Sequence, residues 1–326
     1  MTTTNQVAPL PFRFEPRRSL GRTGFVATRI GIGDVADRSV PIEQCVATLR
    51  RALDAGLNLL DTAPTYEDGY SEQIVGRAVR EFCGGAGRDR VFVIDKVDYP
   101  EQPVAAQVEG SLGRLGLDFT DGFMFHGVST VKDWQKLAKP GGGMDQLRTC
   151  QRAGKTRFVG ISSHHPDVLA EAIRADACDV VMFAIGPFCH ERYIREILPM
   201  TRVRNIGTVC FKTFGAGKLV ADTEGYGRPL QARPRGKFSS GPAGASVATG
   251  ESVLPKMGVA DCVNYTLTCD PDVALLGMSF PAEQDAALAA AAAFAGPLSD
   301  DRMAVIRARA AECIKDKGKV WWNPPA

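Results

Sequence analysis

The chain has 326 residues, with 39 basic and 37 acidic side chains and a formal net charge of +2. A chain of this size buries enough apolar surface to fold without disulfides or a structural metal, and its near-neutral charge gives no reason to expect a nucleic-acid partner. With 44% hydrophobic and 23% charged residues, the composition is that of an ordinary globular protein rather than a disordered one.

The cysteines and the N-terminal residues indicate the cellular compartment in which we expect the protein. The nine cysteines are scattered and form no C-x-x-C pair, so the sequence predicts neither a disulfide framework nor a metal cage. Met1–Pro16 lacks an apolar core of signal-peptide length, and the apolar stretch Ala286–Ala295 is too short to cross a bilayer. We therefore expect reduced thiols, no membrane association and a cytoplasmic location.

Short apolar runs alternate with amphipathic segments along the chain. The runs are almost continuously apolar, as expected for strands covered on both faces. The predicted strands are Arg29–Gly33, Leu57–Asp61, Val91–Lys96, Gly122–His126, Arg157–Ser162, Asp179–Phe183, Gly207–Lys212 and Val273–Gly277. The predicted helices are Pro41–Gly56, Glu72–Arg80, Val104–Leu115, Asp145–Ala153, Asp167–Arg174, Glu191–Arg202, Lys256–Cys269 and Ala282–Ala295.

This alternation favours an α/β fold, a closed (β/α)8 TIM barrel, over an open doubly wound sheet. Arg17–Ala27 is interpreted as an N-terminal hairpin, and Asp300–Ile314 as an extra C-terminal helix. Residues 221–254, rich in Gly, Pro, Ser and Arg, are interpreted as a long loop, which in a compact domain is typically a lid or disordered. We expect residues 1–326 to form a single domain.

Ionisable side chains stand where consecutive predicted strands end. Asp61 ends the second strand, Lys96 the third and His126 the fourth, and Tyr66 follows Asp61 by five residues. Each could be structural by itself, since a strand-end Asp often caps a turn and a lone His is more often structural than catalytic. In a barrel these strand ends converge on one mouth, so we expect the four side chains to lie together.

The chemistry of this set is coherent. A tyrosine with a pKa of about 10 is a poor proton donor at neutral pH, and a nearby Lys96 ammonium would lower that pKa. Asp61 would hold Lys96 charged, and His126 could orient a carbonyl or share the proton. The set therefore suits protonation of an oxyanion formed by hydride transfer to a carbonyl.

Three motifs in chain order resemble those of the aldo-keto reductases. They are Leu59-Leu60-Asp61-Thr62-Ala63-Pro64-Thr65-Tyr66 followed by Gly69, Ser71, Glu72 and Gly76; Gly113-Arg114-Leu115-Gly116-Leu117-Asp118 leading to Asp121 and His126; and Gly154-Lys155 leading to Gly160-Ile161-Ser162. The resemblance runs from about Leu20 to Ala295 and is weakest across residues 221–254. It implies an NAD(P)H-dependent carbonyl reductase on a (β/α)8 barrel.

The resemblance also assigns roles to the four strand-end residues. Tyr66 is the general acid and Lys96 tunes it. Asp61 supports Lys96, and His126 positions the carbonyl. The cofactor-binding residues that the resemblance implies are Ser162, Ser163, Phe211, Gly215, Gly217, Leu219, Gly277, Ser279 and Gln284.

Some cofactor positions match the family pattern. Ser162 matches the serine that holds the nicotinamide carboxamide, and Phe211 stands where an aromatic ring stacks on the nicotinamide. Gly215 and Leu219 match the phosphate-side loop after the seventh strand. Ser163 replaces the usual asparagine, and Met182 stands where the family has a glutamine.

The choice of dinucleotide stays open between NADP and NAD. The family resemblance slightly favours NADP. However, Met278 and Gln284 stand where many NADPH-binding members carry the Lys and Arg that neutralise the 2′-phosphate. Cations of the 221–254 loop could compensate, although a solvated basic loop is the simpler interpretation; they are Arg228, Arg233, Arg235 and Lys237.

Two other motifs are interpreted as coincidental. Gly31–Ala36 fits G-x-G-x-x-A after a strand, but no helix opens directly behind it, as the dinucleotide fingerprint requires. His164-His165 and Cys189-His190 lack further ligands at suitable spacing, and adjacent residues rarely ligate one ion together, so we expect no metal.

The sequence therefore predicts an oxidoreductase that moves a hydride between a nicotinamide cofactor and an aldehyde, ketone or sugar carbonyl. One alternative is a cofactor-binding regulatory or sensor subunit with little turnover, motivated by the changed cofactor contacts. Another is a lyase using Lys96 as a Schiff-base amine, which an adjacent Asp61 disfavours. In this fold the loops after the strands build the substrate pocket, and here they are His126–Gly143 and 221–254.

Overall fold

A closed barrel of eight parallel strands forms the centre of the protein in a computed structural model, which describes residues 7–33, 38, 40–85, 87–220, 255–315, 317, 320 and 322–323. Two features predicted from the sequence lie outside the described residues. They are the long loop at 221–254, with its four basic residues, and positions 34–36 of the G-x-G-x-x-A motif.

The barrel strands follow one another around the ring in chain order, and the last closes on the first. They are β3 (Ile30–Gly33), β4 (Leu59–Asp61), β5 (Phe92–Val97), β6 (Thr120–Phe125), β7 (Thr156–Ser162), β8 (Val180–Ala184), β9 (Gly207–Phe211) and β10 (Val273–Gly277). Ala274 of β10 lies opposite Ile30 of β3 in a parallel pairing that closes the ring. The predicted (β/α)8 barrel is confirmed, and the open doubly wound sheet is excluded.

The predicted N-terminal hairpin closes the end of the barrel at which the strands begin. Its strands β1 (Arg17–Ser19) and β2 (Val26–Thr28) pair antiparallel. Leu20, in the connection between them, is fully buried in the cluster that fills the barrel interior. Gly21 has a φ of +45°, and a Cβ there would overlap the backbone of Gly207 at the start of β9, so the close approach requires glycine. The mouth is therefore at the opposite end, where the strands finish.

Helices follow the barrel strands and cover their outer faces. They are α1 (Ile42–Asp54), α2 (Tyr70–Cys83), α3 (Val104–Leu115), α4 (Val131–Ala138), α5 (Gly143–Arg152), α6 (Pro166–Arg174), α7 (Leu198–Val203), α8 (Val259–Cys269), α9 (Pro281–Ala292) and α10 (Asp300–Ile314). Helix α10 is the predicted extra C-terminal helix. Across the described part of the chain, no helix has both the length and the apolar character needed to traverse a bilayer.

Helix α4 was not predicted and lies in the loop after β6, which the sequence analysis assigned to the pocket. The Thr130 side chain caps its N-terminus by accepting a hydrogen bond from the Asp133 amide at 3.0 Å. Trp134 and Leu137 bury its apolar face. A helix of 8 residues carries too little periodicity to stand out in the sequence.

The helix predicted over Glu191–Arg202 is present, but it is not a regular α-helix along its whole length. A π-helical segment, Tyr193–Ile197, precedes the short helix α7. Pro199 lacks the backbone N–H that would bond the carbonyl of Arg195 in a regular α-helix, which accounts for the irregular turn at this point.

Two helix glycines make a matched test of the packing between α2 and α3. A Cβ on Gly76 of α2 would overlap the carbonyl oxygen of Leu115 in α3, whereas a Cβ on Gly113 of α3 would have no heavy atom within 4 Å. We expect Gly76→Ala to destabilise the protein by about 1–3 kcal/mol or more through overpacking. Gly113→Ala should instead stabilise it by about 0.5–1 kcal/mol. Urea unfolding measures both, and equal effects of the two variants would contradict the close approach of these helices.

Candidate active site

A buried ion pair lies at the mouth end of two neighbouring strands. Lys96 Nζ of β5 donates to Asp61 Oδ1 of β4 at 2.6 Å and to the Thr62 carbonyl at 2.7 Å. Both charged side chains are 2% exposed. Burying two charges costs several kcal/mol per ion unless their partners are close and well oriented, as they are here. The barrel thereby holds an ammonium group in a nearly dry position.

Tyr66 and His126 complete a group of four side chains around this ammonium. Lys96 Nζ is 4.6 Å from the centre of the Tyr66 ring, and the Tyr66 and His126 rings pack edge to face with centroids 5.7 Å apart. Both rings are partly exposed, unlike the ion pair. The structure therefore brings together the four residues that the sequence placed at one mouth, with the tyrosine and the histidine on its solvent side.

The turn between Tyr66 and α2 is conformationally strained. Glu67, Asp68 and Gly69 have φ values of +51°, +50° and +79°, the left-handed region that costs a non-glycine residue about 1 kcal/mol or more. The turn reverses the chain so that α2 starts at Tyr70. Strain of this kind persists only where surrounding contacts determine the conformation.

Asp98 was missed by the sequence analysis. It follows β5 directly, its side chain is 4% exposed, and its Oδ1 forms a short hydrogen bond with Nδ1 of His126. Its Oδ2 accepts the Thr65 amide at 2.9 Å. Burial tends to raise the pKa of Asp98, but the hydrogen bonds from His126 and Thr65 outweigh it and lower this pKa below its ordinary value. The only signal in the sequence was an aspartate two residues beyond Lys96.

A second buried aspartate, Asp95, precedes Lys96 on β5. The Asp95 side chain is fully buried, and its Oδ1 accepts the Lys96 amide at 2.7 Å. Burial raises the pKa of Asp95 well above its ordinary value, and the negative charge of nearby Glu72 adds to this effect. Glu72 is itself buried and pairs with Arg114 through two hydrogen bonds. These groups support the strand from outside the barrel.

The two serines predicted to contact the cofactor bond to the backbone at the end of β7. Ser162 Oγ accepts the Gly127 amide at 2.9 Å, and Ser163 Oγ donates to the Val128 carbonyl at 2.7 Å. Their exposures are 3% and 0%. Both hydroxyls thus tie β7 to the loop after β6, and the replacement of the family asparagine by Ser163 leaves no long side chain there.

Phe211 lies half-buried at the mouth end of β9. Its ring centroid is 5.0 Å from that of His164 and 5.4 Å from Lys212 Nζ. Burial and the charge of Lys212 lower the pKa of His164 to about 3, so this ring is neutral. Among the described residues, no group of three or more His, Cys, Asp or Glu side chains is arranged to hold a metal ion.

The segment after β9 contains the predicted phosphate-side residues. Gly215 and Gly217 have φ values of +54° and +86°, and Leu219 is fully buried. The buried Trp322 ring packs beside Gly215, and the Trp322 carbonyl accepts a hydrogen bond from His164 at 3.3 Å. The C-terminal segment therefore reaches the ends of β7 and β9, which the sequence analysis did not anticipate.

The segment 278–284, directly after β10, contains no basic residue. Gly277 ends the strand, and the Ser279 amide donates to Glu283 Oε2 at 2.8 Å at the start of α9. Met278 and Gln284 are 0% exposed, and Gln284 Nε2 donates to the Thr48 carbonyl in α1 at 2.9 Å. The structure therefore holds Gln284 against α1, and its contact with a cofactor stays a prediction.

Comparisons with known proteins identify the family of this chain. The family model for the aldo/keto reductase family matches residues 29–308. The aldo-keto reductase YhdN of Bacillus subtilis is 30% identical over 232 residues, which cover 64% of this chain and 65% of that protein. The NADH-specific methylglyoxal reductase of Escherichia coli is 26% identical over 224 residues, covering 61% and 68% of the two chains. The match thus spans about two thirds of the length of these curated relatives.

Solved structures show the same fold. The aldo-keto reductase AKR11C1 of Bacillus halodurans, in its holo form, superposes with a TM-score of 0.65 at 20% identity, covering 93% of this chain and 99% of that one. An aldo-keto reductase of Klebsiella pneumoniae in complex with NADPH gives a TM-score of 0.62 at 21% identity, covering 90% and 94%. At these identities the likeness establishes the barrel alone.

Removing the buried cation tests the ion pair. We expect Lys96→Met to lower the free energy of unfolding by about 3–5 kcal/mol, because it leaves the buried Asp61 carboxylate without its cation. The double variant Asp61→Leu/Lys96→Met replaces both charges with apolar groups and should recover most of this loss. Urea unfolding of the two variants beside the wild type gives the comparison. A single variant as stable as the wild type would show that the pair is not desolvated.

The raised pKa of Asp95 predicts a pH dependence of stability. The folded state binds the Asp95 proton more tightly than the unfolded state, so stability is lost as the pH rises from the ordinary aspartate value of about 4 through the raised one. Asp95→Asn keeps the acceptor for the Lys96 amide and removes the charge, so it should be more stable than the wild type at alkaline pH. Urea unfolding at pH 5 and pH 8 measures this difference, and an advantage that shrinks as the pH rises would refute the assignment.

Proposed function

Because the chain belongs to the aldo/keto reductase family, we propose that it is an NAD(P)H-dependent oxidoreductase that transfers a hydride between a nicotinamide cofactor and a carbonyl group. The carbonyl belongs to an aldehyde, a ketone or a sugar. The observation that carries the proposal is the buried Lys96 ammonium held by Asp61 at 2.6 Å and lying 4.6 Å from the centre of the partly exposed Tyr66 ring.

In this proposal the four residues act on the oxygen of the substrate carbonyl. A dihydronicotinamide, when bound, supplies the hydride. The oxygen gains negative charge during the transfer, and the Tyr66 hydroxyl gives it a proton. The Lys96 ammonium stabilises the phenolate that Tyr66 becomes, and Asp61 keeps the ammonium charged and in place. His126 orients the carbonyl oxygen toward the hydroxyl. In the oxidation direction the same proton returns to Tyr66.

The residues at the ends of β7 and β9 fit a dinucleotide. Phe211 is a partly exposed aromatic residue, which suits stacking on a flat ring. Thr213, in the turn that follows, has a buried hydroxyl without a hydrogen-bond partner among the described residues, which suits a donor to a phosphate oxygen. Gly215 and Gly217 adopt left-handed backbone conformations that glycine takes without strain, which suits a tight turn beside a phosphate.

Both dinucleotides are compatible with the proposal. The similar proteins include one named for NADH and one solved with NADPH. The buried Met278 and Gln284 place no cation where a 2′-phosphate would need one, so we propose no strong preference for NADP over NAD. Another similar protein is the L-galactose dehydrogenase of Arabidopsis thaliana, 26% identical over 220 residues, and its name supports a sugar among the possible substrates.

A cofactor-binding regulatory subunit is the second candidate. The hydroxyl of Ser163 is engaged by the backbone, and Gln284 is held by α1, so two predicted cofactor contacts are occupied by the protein itself. Repeated turnover of NADH or NADPH with a panel of aldehydes, ketones and sugars favours the enzyme. A single slow turnover with retained cofactor favours the regulator. The Schiff-base lyase is disfavoured because Lys96 Nζ donates to two oxygens and is ion-paired.

Replacing the tyrosine hydroxyl tests the enzyme. We expect Tyr66→Phe to lower turnover by about 10²–10⁴-fold, because the proton donor is lost. Fluorescence titration with NADH and with NADPH should give dissociation constants like those of the wild type. Tyr193→Phe is the matched control, since the Tyr193 hydroxyl is buried without a partner among the described residues. Near-full activity of Tyr66→Phe, or binding of neither dinucleotide to the wild type, would contradict the proposal.

A further inference from the structure

Asp98 links the two solvent-side residues of the candidate site. It follows β5, which lies in the barrel between the strand before Tyr66 and the strand before His126. One carboxylate oxygen binds Nδ1 of His126, and the other accepts the amide of Thr65, the residue before Tyr66. A single nearly buried side chain therefore contacts the loops that carry both the tyrosine and the histidine.

We propose that Asp98 is a positioning residue of the proposed active site, which fixes the His126 ring through Nδ1 and holds the turn that presents Tyr66. The proposal rests on the proposed function for its consequence in turnover. Its structural part, the protonation site of the His126 ring, can be tested without any activity.

The chemistry of the hydrogen bond determines which histidine nitrogen carries a proton. An ionised carboxylate only accepts hydrogen bonds, and the low pKa of Asp98 keeps it ionised at neutral pH. The proton shared with Asp98 therefore belongs to Nδ1 of His126. In the neutral ring Nε2 is then an acceptor, which can receive the hydroxyl hydrogen of an alcohol in the oxidation direction, and it donates to a carbonyl oxygen only when the ring carries both protons. A carboxylate that orients an imidazole in this way serves metal-bound and catalytic histidines generally.

The position of His126 explains why the ring needs such a partner. Its side chain is 26% exposed, and its packing against Tyr66 is an edge-to-face contact that by itself leaves the two ring nitrogens undistinguished. The turn after Tyr66 contains the left-handed Glu67 and Asp68, whose strain must be offset by contacts such as the bond from Thr65 to Asp98. Asp98 therefore restrains both the His126 ring and the loop that carries Tyr66.

Asp98→Asn separates the contact of Asp98 with His126 from its contact with the Thr65 amide. The asparagine keeps one oxygen to accept the Thr65 amide and presents an NH₂ group to Nδ1 of His126, which must then become an acceptor. The proton of the neutral ring would move to Nε2. With four histidines in the chain, ¹⁵N-histidine NMR at a pH where the ring is neutral can follow this change, and His126→Gln identifies the resonances. We expect a proton on Nδ1 in the wild type and on Nε2 in the variant.

The kinetic consequence should appear in kcat. We expect Asp98→Asn to lower kcat for alcohol oxidation by about 10–100-fold, the usual effect of losing such an orienting partner, because Nε2 no longer accepts the substrate hydroxyl, with KM and cofactor affinity little changed. Asp98→Glu, which keeps the carboxylate, should recover part of the loss. Asp54→Asn, at the exposed end of α1, is the control for a carboxylate-to-amide change, and it should match the wild type.

A double variant distinguishes positioning from a general structural role. If Asp98 acts through His126, Asp98→Asn should cause no further loss of kcat when His126 is already replaced by Gln. An equal loss in both backgrounds, or a proton on Nε2 in the wild type, would overturn the proposal. If the wild type shows no turnover, the proposed function fails, while the NMR measurement still decides whether Asp98 fixes the ring.

Discussion

The ion pair between Lys96 and Asp61 is the interaction on which the candidate site depends. Its two charges are almost completely removed from water, and their mutual contact and hydrogen bonds at 2.6 and 2.7 Å offset that cost. The pair can form because β4 and β5 are neighbours in the barrel, which places their C-terminal ends side by side. The ammonium in turn gives the Tyr66 ring a charged neighbour that water screens little.

Around this buried pair, the loops supply the partly exposed side chains of the candidate site. Tyr66 and His126 lie on loops after β4 and β6, and Asp98 joins both from the loop between them. The strands therefore hold the buried charges in place, and the loops orient the side chains of Tyr66 and His126. This division is common in barrels, where a rigid scaffold carries variable loops at the strand ends.

The resemblance to aldo-keto reductases drawn from three motifs is confirmed by the family match over residues 29–308. Where the motifs predict cofactor contacts, some of the predicted residues are engaged by the protein itself. Ser163 and Gln284 bond to the protein's own backbone, and Trp322 from the C-terminal segment packs beside Gly215. A motif match identifies which residue occupies a position, but the neighbours of that residue decide which of its atoms are available.

The sequence by itself determined the barrel and the four clustered side chains, because both follow from local patterns. Apolar runs of strand length and the residue at the end of each run are read along the chain, and the barrel brings those ends together. Only the tertiary structure revealed the bonds of Asp98, the buried position of Gln284 and the packing of Trp322. Each depends on contacts between segments far apart in the sequence, whose relative positions are set by packing and leave no periodic signal in the chain.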